Sequence, residues 1–445
     1  MSLLGTRDAG PRVLQTLGDV ERYLLDDLPP MSAGVMSGDG VGRRRAARLL
    51  AGLGDPQDGV RSVHVAGTAG KGSVASYLAS ILTAHGWRVG THLSPHAHHV
   101  AERFQVDGLP AAPRALASAA AEVRDAAARL ATEPDGPPSM FEVCTAVAAT
   151  LFVRVGVDYA VVETGLGGTH DATNTITRPD KLAVVTAIGL DHTDVLGATP
   201  AQIAAHKAGI LPSRGRAVAV RSGPPADDVV AAEAAVRDCD LLQLSPAELA
   251  GALRADLRPA LPGPHQRVNA GLAVRAATLL AERDGWTIDG RLVAQGLMTT
   301  RLPGRFERGR YRGHRVVLDG AHNPMKAAAL LAAVREAFPG RRPVWVVAVR
   351  EDKDVVGVLR VVERWAASII LTEFGSAEGY AAAPGEEVYR RARAAGVGSL
   401  SRRADLRTAL DDAVRASGGT EPTVPVVVTG SFHTVAEAGR LVDRG

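Results

Sequence analysis

Along this chain, short runs rich in Val, Ala and Ile alternate with longer Ala- and Leu-rich segments whose apolar positions recur at helical spacing. Such alternation predicts an α/β fold around a mainly parallel sheet. "SVHVAG" (62–67) reads as a strand, "SVASYLASILTAHG" (73–86) as a helix closed by Gly86, and "RVGTHLS" (88–94) as the next strand. "DYAVVET" (158–164) and "KLAVVTAIG" (181–189) are near-continuous apolar runs, the pattern of strands buried on both faces. "TPAQIAAHKAGI" (199–210) opens a helix with Thr199 as N-cap and Pro200 at its first position. A second cycle follows residue 300: "HRVVLDGAHN", "PMKAAALLAAVREAF", "PVWVVAV", "DVVGVLRVVERWA", "SIILTEF" and "VPVVVTGSFHTVAEAGRL". The Pro, Gly and Arg of "TTRLPGRFERG" (299–309) mark the break between the two cycles. The expected organisation is therefore an N-terminal domain over 1–299, a linker over 300–308 and a C-terminal α/β domain over 309–445. "ATEPDGPPSM" (131–140) and "RSGPPADD" (221–228) read as loops.

The length of 445 residues agrees with two domains, since one core rarely organises so long a chain. With 46% hydrophobic and 22% charged residues and no apolar run long enough to cross a bilayer, the chain reads as a folded, non-membrane protein. The opening "MSLLGTRDAGPRVLQ" lacks the pattern of a secretory leader, so the expectation is cytoplasmic. A net charge of +3 spread along the chain, with only 4% aromatics, argues against nucleic acid as a partner. Cys144 and Cys239 have no partner at metal-ligand spacing and read as buried thiols.

Candidate chemistry centres on Gly67-Thr68-Ala69-Gly70-Lys71-Gly72-Ser73, between a predicted strand and a predicted helix. Glycines there turn backbone N–H groups toward one anion, Lys71 adds a point charge, and the helix beginning near Ser73 presents its positive end. A triphosphate is the natural ligand. The pattern G-x-x-x-x-G-K-[ST] does not fit, because Val65 stands where its first glycine should be. Ser94, Glu163 and His192 follow or end predicted strands, where α/β folds place ligands.

The shortened loop G-T-x-G-K-G-S resembles that of the Mur ligase superfamily, and within it the folylpolyglutamate synthase/dihydrofolate synthase family. The likeness extends in order through "LSPH" (93–96), "ERF" (102–104), "FEVCTAVAATLF" (141–152), "ETGLGGTHDATN" (163–174) and "IGLDHTDVLGATPAQIAAHKAGI" (188–210). "NAGLA" (269–273), "PGRFE" (303–307), "DGAHNP" (319–324), "DKD" (352–354) and "TGSFHTVAEA" (429–438) complete it. The resemblance implies a Mur-ligase-like fold, a P-loop ATPase domain followed by a smaller Rossmann-like domain, in a monomeric, ADP-forming ligase. Its substrates would be ATP, L-glutamate and a folate or pteroate carboxylate, activated as an acyl phosphate.

By that resemblance, Gly67, Thr68, Gly70, Lys71, Gly72 and Ser73 would hold the phosphates, with Asn269 toward the adenine and Arg305, Asp319 and His322 completing the nucleotide site. Ser94 and Glu163 would hold one Mg2+, and Glu163, His192 and Lys207 would serve a second, with Lys207 carried as a carbamate. Lys71, Glu163, His192 and Lys207 are the implied catalytic set. Asp171, Phe141 and Arg103 would meet the acceptor, and the second domain, with "DKD" and "GSFH", the amino acid. The residues alone leave plainer readings open: a structural histidine for His192, a surface lysine for Lys207, a solvated linker arginine for Arg305, a helix-surface amide for Asn269 and an Asx turn for Asp171.

Relatives usually carry Asn at the position of Ala69, Arg-Leu at Thr169-His170 and Glu at His206. These departures keep open a paralogue that couples an amino acid to another small carboxylic acid. A non-catalytic nucleotide-binding module has no evident need for Glu163, His192 and Lys207 together. His92, His96, His98 and His99 read as substrate-loop or surface histidines, since a loop lacks the i, i+4 geometry of a helical metal site.

Overall fold

The computed structural model describes residues 14–30, 40–130, 132–253, 257–375, 381–418 and 424–444. Residues 1–13, read above for a leader, and Ala131 of the first Pro/Gly loop lie outside that set.

Among the described residues two sheets form. The first has eight strands: β1 (Arg61–Ala66), β2 (Val89–His92), β3 (Phe104–Val106), β4 (Leu109–Pro110), β5 (Tyr159–Glu163), β6 (Leu182–Val185), β7 (Arg216–Val220) and β8 (Asp240–Leu244). Their order is β4-β3-β2-β5-β1-β6-β7-β8. The six strands from β2 to β8 run parallel, and β3 and β4 add an antiparallel margin. β5 and β6 are buried along their whole length, as their near-continuous apolar runs require, and so is β2 (Val-Gly-Thr-His). Helices cover both faces. Lys71–Ala84 packs under Pro264–Asp284 and Gly290–Thr299 on one side, and Met140–Val155 with Pro113–Arg129 forms a separate core on the other.

The second sheet comprises β9 (Glu307–Tyr311), β10 (His314–Asp319), β11 (Val344–Val347), β12 (Ser368–Leu371), β13 (Leu400–Arg402) and β14 (Val426–Thr429), in the order β13-β12-β11-β14-β10-β9. All neighbours are parallel except β9 and β10. That hairpin turns through Arg312 and Gly313, both at positive φ (49° and 81°), the geometry that matches strand twist in a two-residue turn. Its first strand is not legible in the sequence: Glu307–Tyr311 reads Glu-Arg-Gly-Arg-Tyr, three charges around a glycine, so pairing to β10 and not an apolar run makes it a strand. The second sheet consequently begins at Glu307, inside the stretch expected to be a linker.

Cys144 and Cys239 are buried free thiols, as expected. No helix among the described residues is long and apolar enough to cross a membrane.

Candidate active site

The strand ends assemble one site. β1 stops at Ala66, and the chain enters Gly67 at φ +152° with a Thr186 hydroxyl so near that a Cβ would lie 1.8 Å from it. Gly70 (φ +92°) is closed off by Asn269, whose Oδ1 would be 2.5 Å from an added Cβ. Only glycine satisfies both the backbone and the space at these two points. The loop is tied to the end of β6: Thr68 N donates to Ala187 O (2.8 Å), Thr68 Oγ1 donates to Gly189 O (2.9 Å), and Thr186 Oγ1 donates to Ala69 O (2.8 Å). The helix starts at Lys71, two residues before the expected Ser73, so the lysine stands at the positive helix end. Ser73 Oγ accepts from Gln266 Nε2 (3.3 Å), and Asn269 Nδ2 donates to Gln266 Oε1 (3.1 Å). Asn269 is thus a buried amide against the loop and not a helix-surface group.

Glu163 closes β5 beside that loop, two residues ahead of it in register, opposite Val65. Its carboxylate is buried; Oε2 accepts from Ser94 N (3.0 Å), and Oε1 lies 3.9 Å from Lys71 Nζ, beyond hydrogen-bond distance. Burial raises its pKa, with the Lys71 charge opposing. Lys207 ends the helix Pro200–Ala208, which Thr199 caps through a reciprocal pair with Gln202. The surface-lysine reading fails: Lys207 is 3% exposed, and its Nζ donates to Gly67 O (2.9 Å). Burial, reinforced by Lys71, pushes its amine down to about 7.

His192 sits apart from these groups in character. It adopts φ +51° at the start of a four-residue helix, with Nε2 3.8 Å from Asp191 Oδ1 and a side chain 37% exposed. Among the described residues no cluster of three or more His, Cys, Asp or Glu forms a ready metal cage.

The second sheet supplies the opposite wall. Arg305 lies over the Phe432 ring (4.2 Å to its centroid), and the charges nearest it are Asp319 and Glu163, so it is no solvated linker arginine. Asp319, at the end of β10, accepts from Phe306 N (2.8 Å) and Ala321 N (2.9 Å) and thereby fixes the linker to the strand. Between the two walls lies a cavity of about 430 Å³ bordered by Gly70, Ser73 and Asn269 on one side and Arg305, Asp319 and Lys326 on the other. His322 Nδ1 donates to Gly320 O (2.9 Å), which leaves Nε2 to accept from Lys326 Nζ (3.0 Å). Ser431 of "GSFH" caps the helix Phe432–Gly439, and Lys353 of "DKD" reaches Asp191.

Asp191 and Lys326 are functional candidates that the sequence reading did not single out, whereas Lys353 was named there within "DKD". A lysine in the first turn of the helix Pro324–Ala337 opposes the helix dipole, a signal that it has an anionic partner. That partner is Asp191, whose Oδ2 accepts from Lys326 Nζ at 2.8 Å. Burial pushes Lys326 down to about 8, with Asp191 opposing.

A second, smaller cavity of about 40 Å³ is bordered by Phe141, Glu142, Leu166, His170, Asp171 and His206. Two of the four departing positions, His170 and His206, line it with their rings 6.0 Å apart, and a third, Thr169, adjoins them, its Oγ1 donating to His206 O (3.1 Å). Ala69 borders the larger cavity instead. Asp171 is buried, yet spends its carboxylate on its own loop: Oδ2 accepts from Leu166 N (2.7 Å), and Oδ1 accepts from Thr173 N (3.0 Å), the Asx turn among its two readings. Beneath the cavity Arg45 makes a two-pronged ion pair with Glu142 (2.8 and 2.9 Å), both side chains buried. Nothing in the sequence connects these two residues across 97 positions.

Arg103 borders neither cavity; it is buried with Nε donating to His96 Nδ1 (2.9 Å). The four histidines near it do not form one class. His92 is fully buried in β2 between the rings of Phe104 and Phe141, contrary to a loop or surface position, because β2 lies inside the sheet with both faces covered. His96 is half-buried on the loop, the position expected of it: Arg103 donates to it, and burial, followed by the Arg103 charge, pushes its pKa down to about 2. His98 bonds Glu307 of β9 (2.8 Å), and His99 caps the short turn Val100–Arg103.

Comparison with known proteins places this geometry in context. Residues 304–432 match the Mur ligase, glutamate ligase domain family. The chain is 34% identical over 443 residues to the dihydrofolate synthase/folylpolyglutamate synthase of Mycobacterium tuberculosis, covering 90% of each chain. It is 34% identical over 412 residues to the folylpolyglutamate synthase of Lacticaseibacillus casei, covering 88% of this chain and 92% of that one. The fold matches the structure of Mycobacterium tuberculosis folylpolyglutamate synthase complexed with ADP at a TM-score of 0.82 and 33% identity, over 96% of this chain and 98% of that one. Escherichia coli FolC in complex with DHPP and ADP gives 0.75 and 27%, over 97% and 98%.

Proposed function

The chain belongs to the folylpolyglutamate synthase/dihydrofolate synthase family of Mur ligases, and we propose that it is an ATP-dependent ligase joining L-glutamate to a folate or pteroate carboxylate. The observation that carries this reading is the cavity in which a glycine-framed phosphate loop faces Arg305 and Asp319 of the other domain. The loop's N–H groups and Lys71 hold the phosphates of ATP, Asn269 borders its base, and Arg305 supplies charge from the hinge when the domains close.

The γ-phosphoryl group passes to the acceptor carboxylate, giving an acyl phosphate and ADP. The neutral amine of glutamate then attacks the acyl carbon, and the tetrahedral intermediate collapses to an amide with loss of phosphate and a proton. Ser94 and Glu163 carry hard oxygens of the kind magnesium takes, and Glu163 Oε1 lies outside hydrogen-bond reach of Lys71, so these two residues would hold one such ion. Bound there, and at Glu163, His192 and Lys207, it would neutralise charge on the transferred group. An amine brought down to about 7 is neutral often enough to add its lone pair to carbon dioxide and release a proton, which supports the Lys207 carbamate. Asp171 acts on the acceptor side through the loop it organises beside Phe141. A hinge within 300–306, with the second domain starting at Glu307 of β9 instead of 309, a monomeric state and a cytoplasmic setting belong to the same proposal.

A second reading keeps the ligase and changes the acceptor to another small carboxylic acid. The meeting of Thr169, His170 and His206 around the smaller cavity favours it. A coupled ADP-release assay with magnesium, ATP and L-glutamate, offering dihydropteroate and tetrahydrofolate separately, decides between them. The folate reading expects turnover with at least one pterin, lost in Lys207→Ala; no turnover with either, while ATP still binds, transfers the case to the second reading.

A further inference from the structure

The loop after β6 touches the second domain at one acidic side chain. Asp191 Oδ2 accepts from Lys326 Nζ (2.8 Å) and Asn323 Nδ2 (2.9 Å), and Lys353 Nζ lies 3.6 Å from Oδ1. The Asp191 side chain is 7% exposed, so these charges meet away from bulk water. Lys353 also lies 3.7 Å from Asp352 Oδ2, so within this cluster Asp191 is the carboxylate that holds Lys326.

The donors of Lys326 can be counted. An ammonium has three. One goes to Asp191 and one to the unprotonated Nε2 of His322 (3.0 Å), whose other nitrogen donates to Gly320 O. The third is unassigned, and Lys326 borders the larger cavity together with Gly70 and Arg305. The same loop is locked to the phosphate loop, because Gly189 N donates to Thr68 Oγ1 (3.1 Å), while a Cβ on Gly189 would meet Met325 Sδ at 2.8 Å. Phosphate loop, Asp191 and Lys326 are therefore one connected assembly spanning both domains.

We propose that Lys326 is a further ATP-binding residue, which contacts the terminal phosphate from the second domain, and that Asp191 is the positioning residue that aims it. Resting on the reading that ATP occupies this cavity, the inference makes a specific demand: removal of Lys326 must weaken a triphosphate and spare a diphosphate, since the loop and Asn269 serve both.

Titration calorimetry of the full chain with magnesium, comparing ADP and the analogue AMPPCP, tests this. Lys326→Met is expected to weaken AMPPCP about 30-fold while ADP changes less than about 2-fold, a charge-assisted hydrogen bond's worth of discrimination. Lys326→Arg recovers most of the loss, and Asp191→Asn loses about 5-fold for AMPPCP alone. Equal weakening of both nucleotides, or of neither, overturns the proposal. Wild-type protein that binds neither nucleotide overturns the functional reading and this inference together, whereas wild-type binding with an indifferent Lys326→Met overturns the inference only. If Lys326→Met does not fold, Lys326→Gln, whose amide keeps a donor for Asp191, decides by the same comparison.

Discussion

The two cavities are built on different principles. The larger has at one end a backbone cradle, the loop with glycines at 67 and 70 and a helix start, and side chains of both domains around the rest. The smaller is framed by side chains drawn from Phe141, Glu142, Asp171 and His206, propped by an ion pair that joins Arg45 to Glu142. A backbone cradle admits little change beyond its glycines. A side-chain cavity can change its ligand by single substitutions, and two of the four departing positions, His170 and His206, line it.

Damage to the two regions should therefore read out differently. Arg45→Met leaves Glu142 buried and unpaired, so a loss of about 3–5 kcal/mol in unfolding free energy is expected by denaturant titration. Replacing both partners by apolar residues should return much of it; equal losses in single and double variants would show that the pair is not the support. On the nucleotide side Glu163→Gln should instead leave the melting temperature near that of the wild type and lower kcat about 100- to 1000-fold, read in the ADP-release assay. A variant that melts early with near-normal kcat would erase the contrast.

Acid offers a finer probe of the acceptor side. Burial pushes His92 down to about 4, with the Arg103 backbone hydrogen bond opposing. The folded imidazole then stays neutral while the unfolded one protonates below about 6.5, so the unfolded chain binds more protons and stability falls as pH drops from about 6.5 to 4. The expected loss is up to about 3 kcal/mol. His92→Asn should flatten that slope, and an unchanged slope would assign the acid sensitivity elsewhere. The smallest effect belongs to Thr199→Ala, which removes the cap of the lysine-bearing helix; about 1 kcal/mol of stability should go, with kcat unmoved.

The same contrast explains what could be read from sequence. The loop 67–73, the strand ends carrying Ser94 and Glu163, and the capped helix at Thr199 were legible because local rules fix them: glycine spacing, apolar runs and cap residues. Asp191 with Lys326, and Arg45 with Glu142, were not, since each pair is made by tertiary folding between residues more than 90 positions apart. β9 escaped because its strand character comes from its partner, and His92 because the polar Thr and His of a four-residue strand hide that both its faces are covered.

The central claim is that this chain joins glutamate to a pterin carboxylate at the expense of ATP. Mass spectrometry of the products from purified protein with magnesium, ATP, L-glutamate and either dihydropteroate or tetrahydrofolate tests it directly. The account predicts an acceptor heavier by one glutamyl residue for each ADP formed. ADP without a glutamylated pterin, or unchanged pterin and ATP with both acceptors, would contradict it.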